Sequence, residues 1–114
     1  MKLIIAGGRD YKLTRQDFDK LDDIQNVTEV VSGCARGVDS AGECWARNRL
    51  IPIKQFPADW DRWGKRAGFI RNIEMANYAD ALAVFPGGNG TAHMFKTARQ
   101  YGLQIYDFRS NQLL

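Results

Sequence analysis

Cysteine and histidine are scarce in this chain of 114 residues, which carries two cysteines and one histidine. Cys34 and Cys44 cannot build a disulfide framework, and with His93 as the single imidazole they show no zinc-ligand spacing. Both read as small buried thiols, although Cys34 stands beside a glycine turn and keeps a nucleophilic role open. Long apolar runs are also lacking. None approaches the roughly 20 residues needed to cross a bilayer. The apolar opening stretch ends after Ala6 in glycines and charges, which suits a buried strand better than a secretory signal. These absences predict a cytoplasmic protein with no membrane partner. Missing as well are the dinucleotide fingerprint G-x-G-x-x-G and the phosphate loop G-x-x-x-x-G-K-[ST], which argues against a nicotinamide oxidoreductase and a P-loop hydrolase.

What is present suits a soluble globular protein. Hydrophobic residues make up 45% of the chain and charged residues 25%, and the length suits one domain over residues 1–114. The net charge of +3 is small, but it is unevenly spread. Asp17, Asp19, Asp22 and Asp23 form an early acidic face. Arg47, Arg49, Lys54, Arg62, Lys65, Arg66 and Arg71 crowd the middle, either as a solvated basic face or as an electropositive mouth over a phosphate site.

Patterning places a buried strand at Lys2–Ala6, then a helix capped by Thr14 with Asp17 completing a variant capping box. Phe18, Leu21 and Ile24 recur at helical spacing. Val27–Val31 reads as a second strand and Gly37–Arg49 as a second helix. Ile51–Phe56 reads as a third strand, followed by a polar connection over Pro57–Lys65. A helix over Arg66–Tyr78, with Ile70, Ile73 and Asn77 on one stripe, leads to a fourth strand at Ala81–Phe85. Thr91–Tyr101 is helical, Gly102 closes it, and Leu103–Phe108 is the last strand. The tail beyond has no signature of its own. This alternation predicts a three-layer α/β sandwich around a five-stranded parallel sheet, with order 3-2-1-4-5.

In such a sheet, ligands bind beyond the carboxyl ends of the strands, where the order reverses. Three loops fall there. The sharpest is Pro86-Gly87-Gly88-Asn89-Gly90-Thr91, whose glycines allow close backbone approach. The helix after it can offer free amides to phosphate oxygens. Thr91 could donate a hydroxyl or cap that helix. Gly7-Gly8 should pass close to this loop, leaving Arg9 to pair with a ligand anion or with Asp10. From the second loop, Ser32 and Gly33 can place donors, Arg36 can bind ligand or brace the loop, and Asp39 can cap amides or meet a ribose. Trp60 could stack on a base or pack in the core. Asp59 and Asp61 beside it are candidate carboxylates for catalysis. Arg71 and Asn72 could emerge towards the cleft or lie on a helix surface. His93 reads as a polar group on an exposed face.

Five motifs spread along the chain, Ala6 to Tyr11 (AGGRDY), Ser32 to Asp39 (SGCARGVD), Ala58 to Asn72 (ADWDRWGKRAGFIRN), Met75 to Asp80 (MANYAD) and Phe85 to Thr91 (FPGGNGT), resemble the small bacterial and phage branch of the SLOG superfamily, the YspA or cpYpsA-related proteins. The resemblance implies a Rossmann-like fold and a nucleotide or ADP-ribose-like ligand, with no required cofactor. It extends more distantly to DNA-processing Smf proteins and to LOG enzymes, which remove ribose 5-phosphate from nucleoside monophosphates. Arg71 matches the arginine of the LOG Arg-Lys motif, while Asn72 replaces its lysine. Gly87, Gly88, Gly90 and Thr91 match its phosphate cradle. Met94 stands where the LOG motif carries a catalytic glutamate, and a thioether cannot replace a carboxylate there.

The leading expectation is therefore binding or sensing of a phosphorylated nucleoside. The enzymatic alternative is N-glycosidic hydrolysis using Asp59, Asp61 and Arg71. A further alternative is single-stranded DNA binding through the basic middle segment. The resemblance also implies a homo-oligomer, with a dimer as the expected form.

Overall fold

The computed structural model describes residues 1–109; the end of the tail lies outside them. Strands β1 (Lys2–Ala6), β2 (Glu29–Ser32), β3 (Ile53–Gln55), β4 (Ala81–Val84) and β5 (Gln104–Asp107) alternate with helices α1 (Arg15–Asp22), α2 (Val38–Asn48), α3 (Trp60–Trp63), α4 (Ala67–Tyr78) and α5 (Asn89–Gln100). The strands form one parallel sheet in the order β3-β2-β1-β4-β5. This is the expected Rossmann-like arrangement.

Successive residues of a strand point to opposite faces, and here each face is covered. Leu3, Ile5, Ala81 and Ala83 pack with Leu21 of α1 and Trp45 and Ala46 of α2. Ile4, Ala6, Leu82 and Val84 pack with Met75 and Ala76 of α4 and with Met94 and Ala98 of α5. Burial on both faces explains why the central strands are continuous apolar runs without polar alternation. The edge strand β3 is less buried and only three residues long, shorter than the apolar stretch around it implies.

Thr14 caps α1 as expected: its hydroxyl accepts from Asp17 N at 3.2 Å, and Asp17 Oδ2 accepts from Thr14 N at 2.9 Å. Four other expectations are corrected. The Pro57–Lys65 connection is not plain loop, because α3 and a 3₁₀ turn at Gly64–Arg66 occupy it, started by Asp59, which caps Arg62 N at 3.1 Å. The buried stripe of α4 is Ala67, Asn72, Met75 and Ala76, while Ile73 is exposed. The apolar residues of this helix are divided between two faces, so hydrophobicity alone misplaced its packed side. Helix α5 begins at Asn89 with Gly88 as its N-cap, so Thr91 lies inside the first turn and does not cap it. Both cysteines are exposed.

Candidate functional site

Because all five strands run in parallel, the loops after β1, β2 and β4 leave the same edge of the sheet. The β1 and β4 loops touch: Gly8 N donates to Pro86 O at 2.8 Å. A Cβ on Gly87 would overlap the Thr91 hydroxyl and come within 2.7 Å of Gly8 N. The β2 loop joins them through Gly37, whose φ of 78° admits few side chains. A Cβ there would lie 2.5 Å from both Gly8 O and Arg9 O. The three bends therefore form one packed unit.

Together with α3 and α4 they line an open cavity of about 380 Å³. Of the sequence-predicted residues, Gly7, Gly8, Arg9, Gly33, Asp39, Trp60, Arg71, Asn72, Gly88, Gly90 and Thr91 line it. Arg36 lines an adjoining depression that shares Arg9, Gly33, Trp60 and Arg71 with the cavity. Its guanidinium pairs with Asp10 at 3.2 Å, so Asp10 braces Arg36 and leaves Arg9 without an ion pair among the described residues. Other predicted residues stand back from the cavity. Ser32 is buried and donates to Glu43 Oε2 at 2.6 Å, so its hydroxyl holds the loop. Pro86 and Gly87 form the contact with Gly8, and Asn89 opens α5. Asp59 and Asp61 are exposed and do not line the cavity.

Gly88 and Gly90 differ from Gly87. A Cβ on either would meet nothing within 4 Å, and neither residue has a positive φ. The fold does not require glycine at these two positions, yet both open onto the cavity. The first amides of α5 also lack a side-chain cap, and unpaired amides at a helix start favour anions.

Arg71 is held at the cavity wall by two bonds, one from Nη1 to Gly33 O and one from Nε to Asn72 Oδ1 at 3.2 Å. The buried Asn72 in turn donates from Nδ2 to Gly90 O at 3.2 Å and lies 3.1 Å from His93 Nδ1. That contact makes Nδ1 the acceptor. Burial lowers the His93 pKa, with help from Lys96, which favours the neutral ring. His93 stacks on Phe69 with centroids 4.2 Å apart, so it is not the freely exposed polar group expected. Asn72 is thus a brace between Arg71 and the start of α5.

Among the described residues Asp39 is the one carboxylate lining the cavity, and it is only 8% exposed. Its Oδ2 accepts from Ala35 N at 3.2 Å. Burial pushes its pKa up to about 6, against the opposing influence of that bond and of Arg71. Burial also lowers the Arg71 pKa, although an arginine remains charged at neutral pH.

Sequence reasoning missed Phe69 and Gly68, which line the cavity beside Trp60 and Lys65. Phe69 stands three residues before Asn72, hence on the same helical face, and that spacing was the available signal. The basic middle segment is largely committed elsewhere. Arg47 pairs with Glu43 and Arg49 with Asp22, while Arg62 and Arg66 lie over the Trp63 ring. Among the described residues no cluster of three or more His, Cys, Asp or Glu could hold a metal, and no helix is long and apolar enough to cross a membrane.

A parallel sheet with its cleft at the reversal of strand order defines a Rossmann-like α/β protein. Its closer kinship comes from two comparisons. The model of YAcAr, the YspA, cpYpsA-related SLOG family, matches residues 1–63. The chain is also similar to the Gene 61 protein of Mycobacterium phage D29, with 33% identity over 119 residues, covering 94% of this chain and 95% of that one. The chain belongs to the YspA, cpYpsA-related SLOG family. Membership points broadly to a nucleotide-related ligand. No solved structure matches significantly.

Proposed function

We propose that this protein binds a phosphorylated nucleoside, with the phosphate against the start of α5 and the base towards Trp60 and Phe69. The observation that carries this reading is the pair Gly88 and Gly90, which the backbone does not need and which leave open space beside uncapped amides. A side chain there would fill the space that a phosphate needs. Among the described residues Arg9, Lys65 and Arg71 line the same cavity against the single carboxylate of Asp39, so the balance of charge favours an anion. Trp60 and Phe69 are partly exposed on its rim, where aromatic faces can stack on a base. Calorimetry against AMP, NAD, ADP-ribose and cyclic nucleotides tests the reading. Saturable binding by at least one is expected, and its loss in Gly88→Leu with an unchanged melting temperature would locate the phosphate. Absence of binding by all of them overturns it.

A second reading, N-glycosidic hydrolysis, is favoured by the position of Asp39. A buried carboxylate can stabilise positive charge developing at the ribose C1′ as the bond to the base breaks and water adds. Met94 also lines the cavity and cannot serve in that way. Base release measured by chromatography should then survive Asp59→Asn and Asp61→Asn and disappear in Asp39→Asn. Binding without base release would leave the protein a binder or sensor.

A further inference from the structure

An anion-binding cavity gains nothing electrostatically from a carboxylate, which repels the phosphate it is meant to hold. Asp39 nevertheless sits in this one, held by Ala35 N–H through Oδ2, with no hydrogen bond to Oδ1 among the described residues. The opposite wall supplies the α5 amides, so donors and acceptor are on separate loops. Arg71 has spent Nη1 and Nε on Gly33 and Asn72 and keeps Nη2 without a hydrogen bond among the described residues. A point one Cβ length from the Gly33 backbone lies 2.8 Å from Asp39 Oδ2 and 2.6 Å from Arg71 Nη1. The two charges are therefore close neighbours on the wall formed by the β2 loop.

The ligand group that meets Asp39 must donate hydrogen bonds. Hydroxyls of a ribose do so in every ribonucleotide, whereas exocyclic amines belong only to some bases. The geometry points to Asp39 as the residue that selects ribonucleotides with an unmodified ribose diol, an inference that rests on the nucleotide-binding reading above. The carboxylate accepts from the sugar hydroxyls, and the same charge rejects a ribose bearing a second phosphate. A cavity that merely collected positive charge would behave in the opposite way, binding a bisphosphate more tightly than a monophosphate.

Calorimetry at pH 7.5 with the four ribonucleoside 5′-monophosphates, their 2′-deoxy and 3′-deoxy counterparts, and adenosine 2′,5′- and 3′,5′-bisphosphate tests this. A ribonucleotide should bind about tenfold or more tightly than at least one of its deoxy forms, the size expected for a hydrogen bond to a charged group. AMP should also bind more tightly than either bisphosphate. Asp39→Asn should shrink the first ratio towards one and relieve the penalty on the bisphosphates, with the melting temperature reporting that the variant is folded. Equal binding of ribo and deoxy forms, tighter binding of the bisphosphates, or discrimination by base alone would overturn the inference while leaving nucleotide binding intact. Failure of every nucleotide to bind would overturn both.

Discussion

Asp39 and Glu43 stand one turn apart on the buried face of α2, yet their surroundings differ. Glu43 accepts from Ser32 and from Gln55, while Asp39 accepts, among the described residues, only from Ala35 N–H and faces the cavity. Its pKa rises from 3.8 to about 6 on folding, so between these values the folded state keeps a proton that the unfolded chain releases. The stability this contributes is complete below about pH 4 and is lost as pH rises through about 6. Urea unfolding at pH 4 and pH 7.5 should show wild type falling relative to Asp39→Asn by on the order of 3 kcal/mol for this shift. Parallel pH profiles would contradict it. The neighbouring glycines separate fold from function at the same scale. Gly87→Ala should cost roughly 1–3 kcal/mol through overpacking, whereas Gly88→Ala should stay within about 0.5 kcal/mol. All of the loop glycines look alike in the sequence. Only the packed neighbours reveal which of them serve the backbone.

At the scale of elements, α2 ends without the residue its geometry favours. Leu50 has a φ of 58°, and Ile51 N reaches back to Ala46 O at 2.9 Å in a left-handed helix stop. Leucine pays steric strain in that region and here is 92% exposed, so it packs against little. Leu50→Gly should raise stability by about 0.5–1 kcal/mol, the steric relief being partly offset by glycine's greater unfolded entropy. A loss of stability on denaturant titration would show that Leu50 packs against something. Most strands and helices were legible in the sequence, because apolar runs, the Thr14 box and the glycine punctuation act locally. The face of α4 was not. Ile73 and Asn77 suggest an inward stripe, but the buried polar Asn72 occupies the packed side, and its partners Gly90 and His93 reach it only in three dimensions.

Across the whole molecule, the cavity is built from loops distant in sequence, so a ligand that fills it should stiffen the β1, β2 and β4 bends together. A ligand that binds only the folded state stabilises it by about 2.7 kcal/mol at a hundredfold excess over Kd. The melting temperature should therefore rise with the concentration of whichever nucleotide calorimetry identifies, and this rise should vanish in Gly88→Leu. A concentration-independent melting temperature would place that nucleotide outside the folded cleft.

The alternation of apolar runs with amphipathic segments determined the class of fold and the strand order, because right-handed crossovers between parallel strands leave few arrangements. It also brought the three glycine bends to one sheet edge. Tertiary structure alone decided which charged groups face the cavity. It turned Asp59 and Asp61 outward, turned Asp39 inward, and committed much of the basic segment to aromatic rings and to the carboxylates of Asp22 and Glu43. Periodicity reports which face of a segment is buried, but a polar side chain takes its direction from partners many residues away.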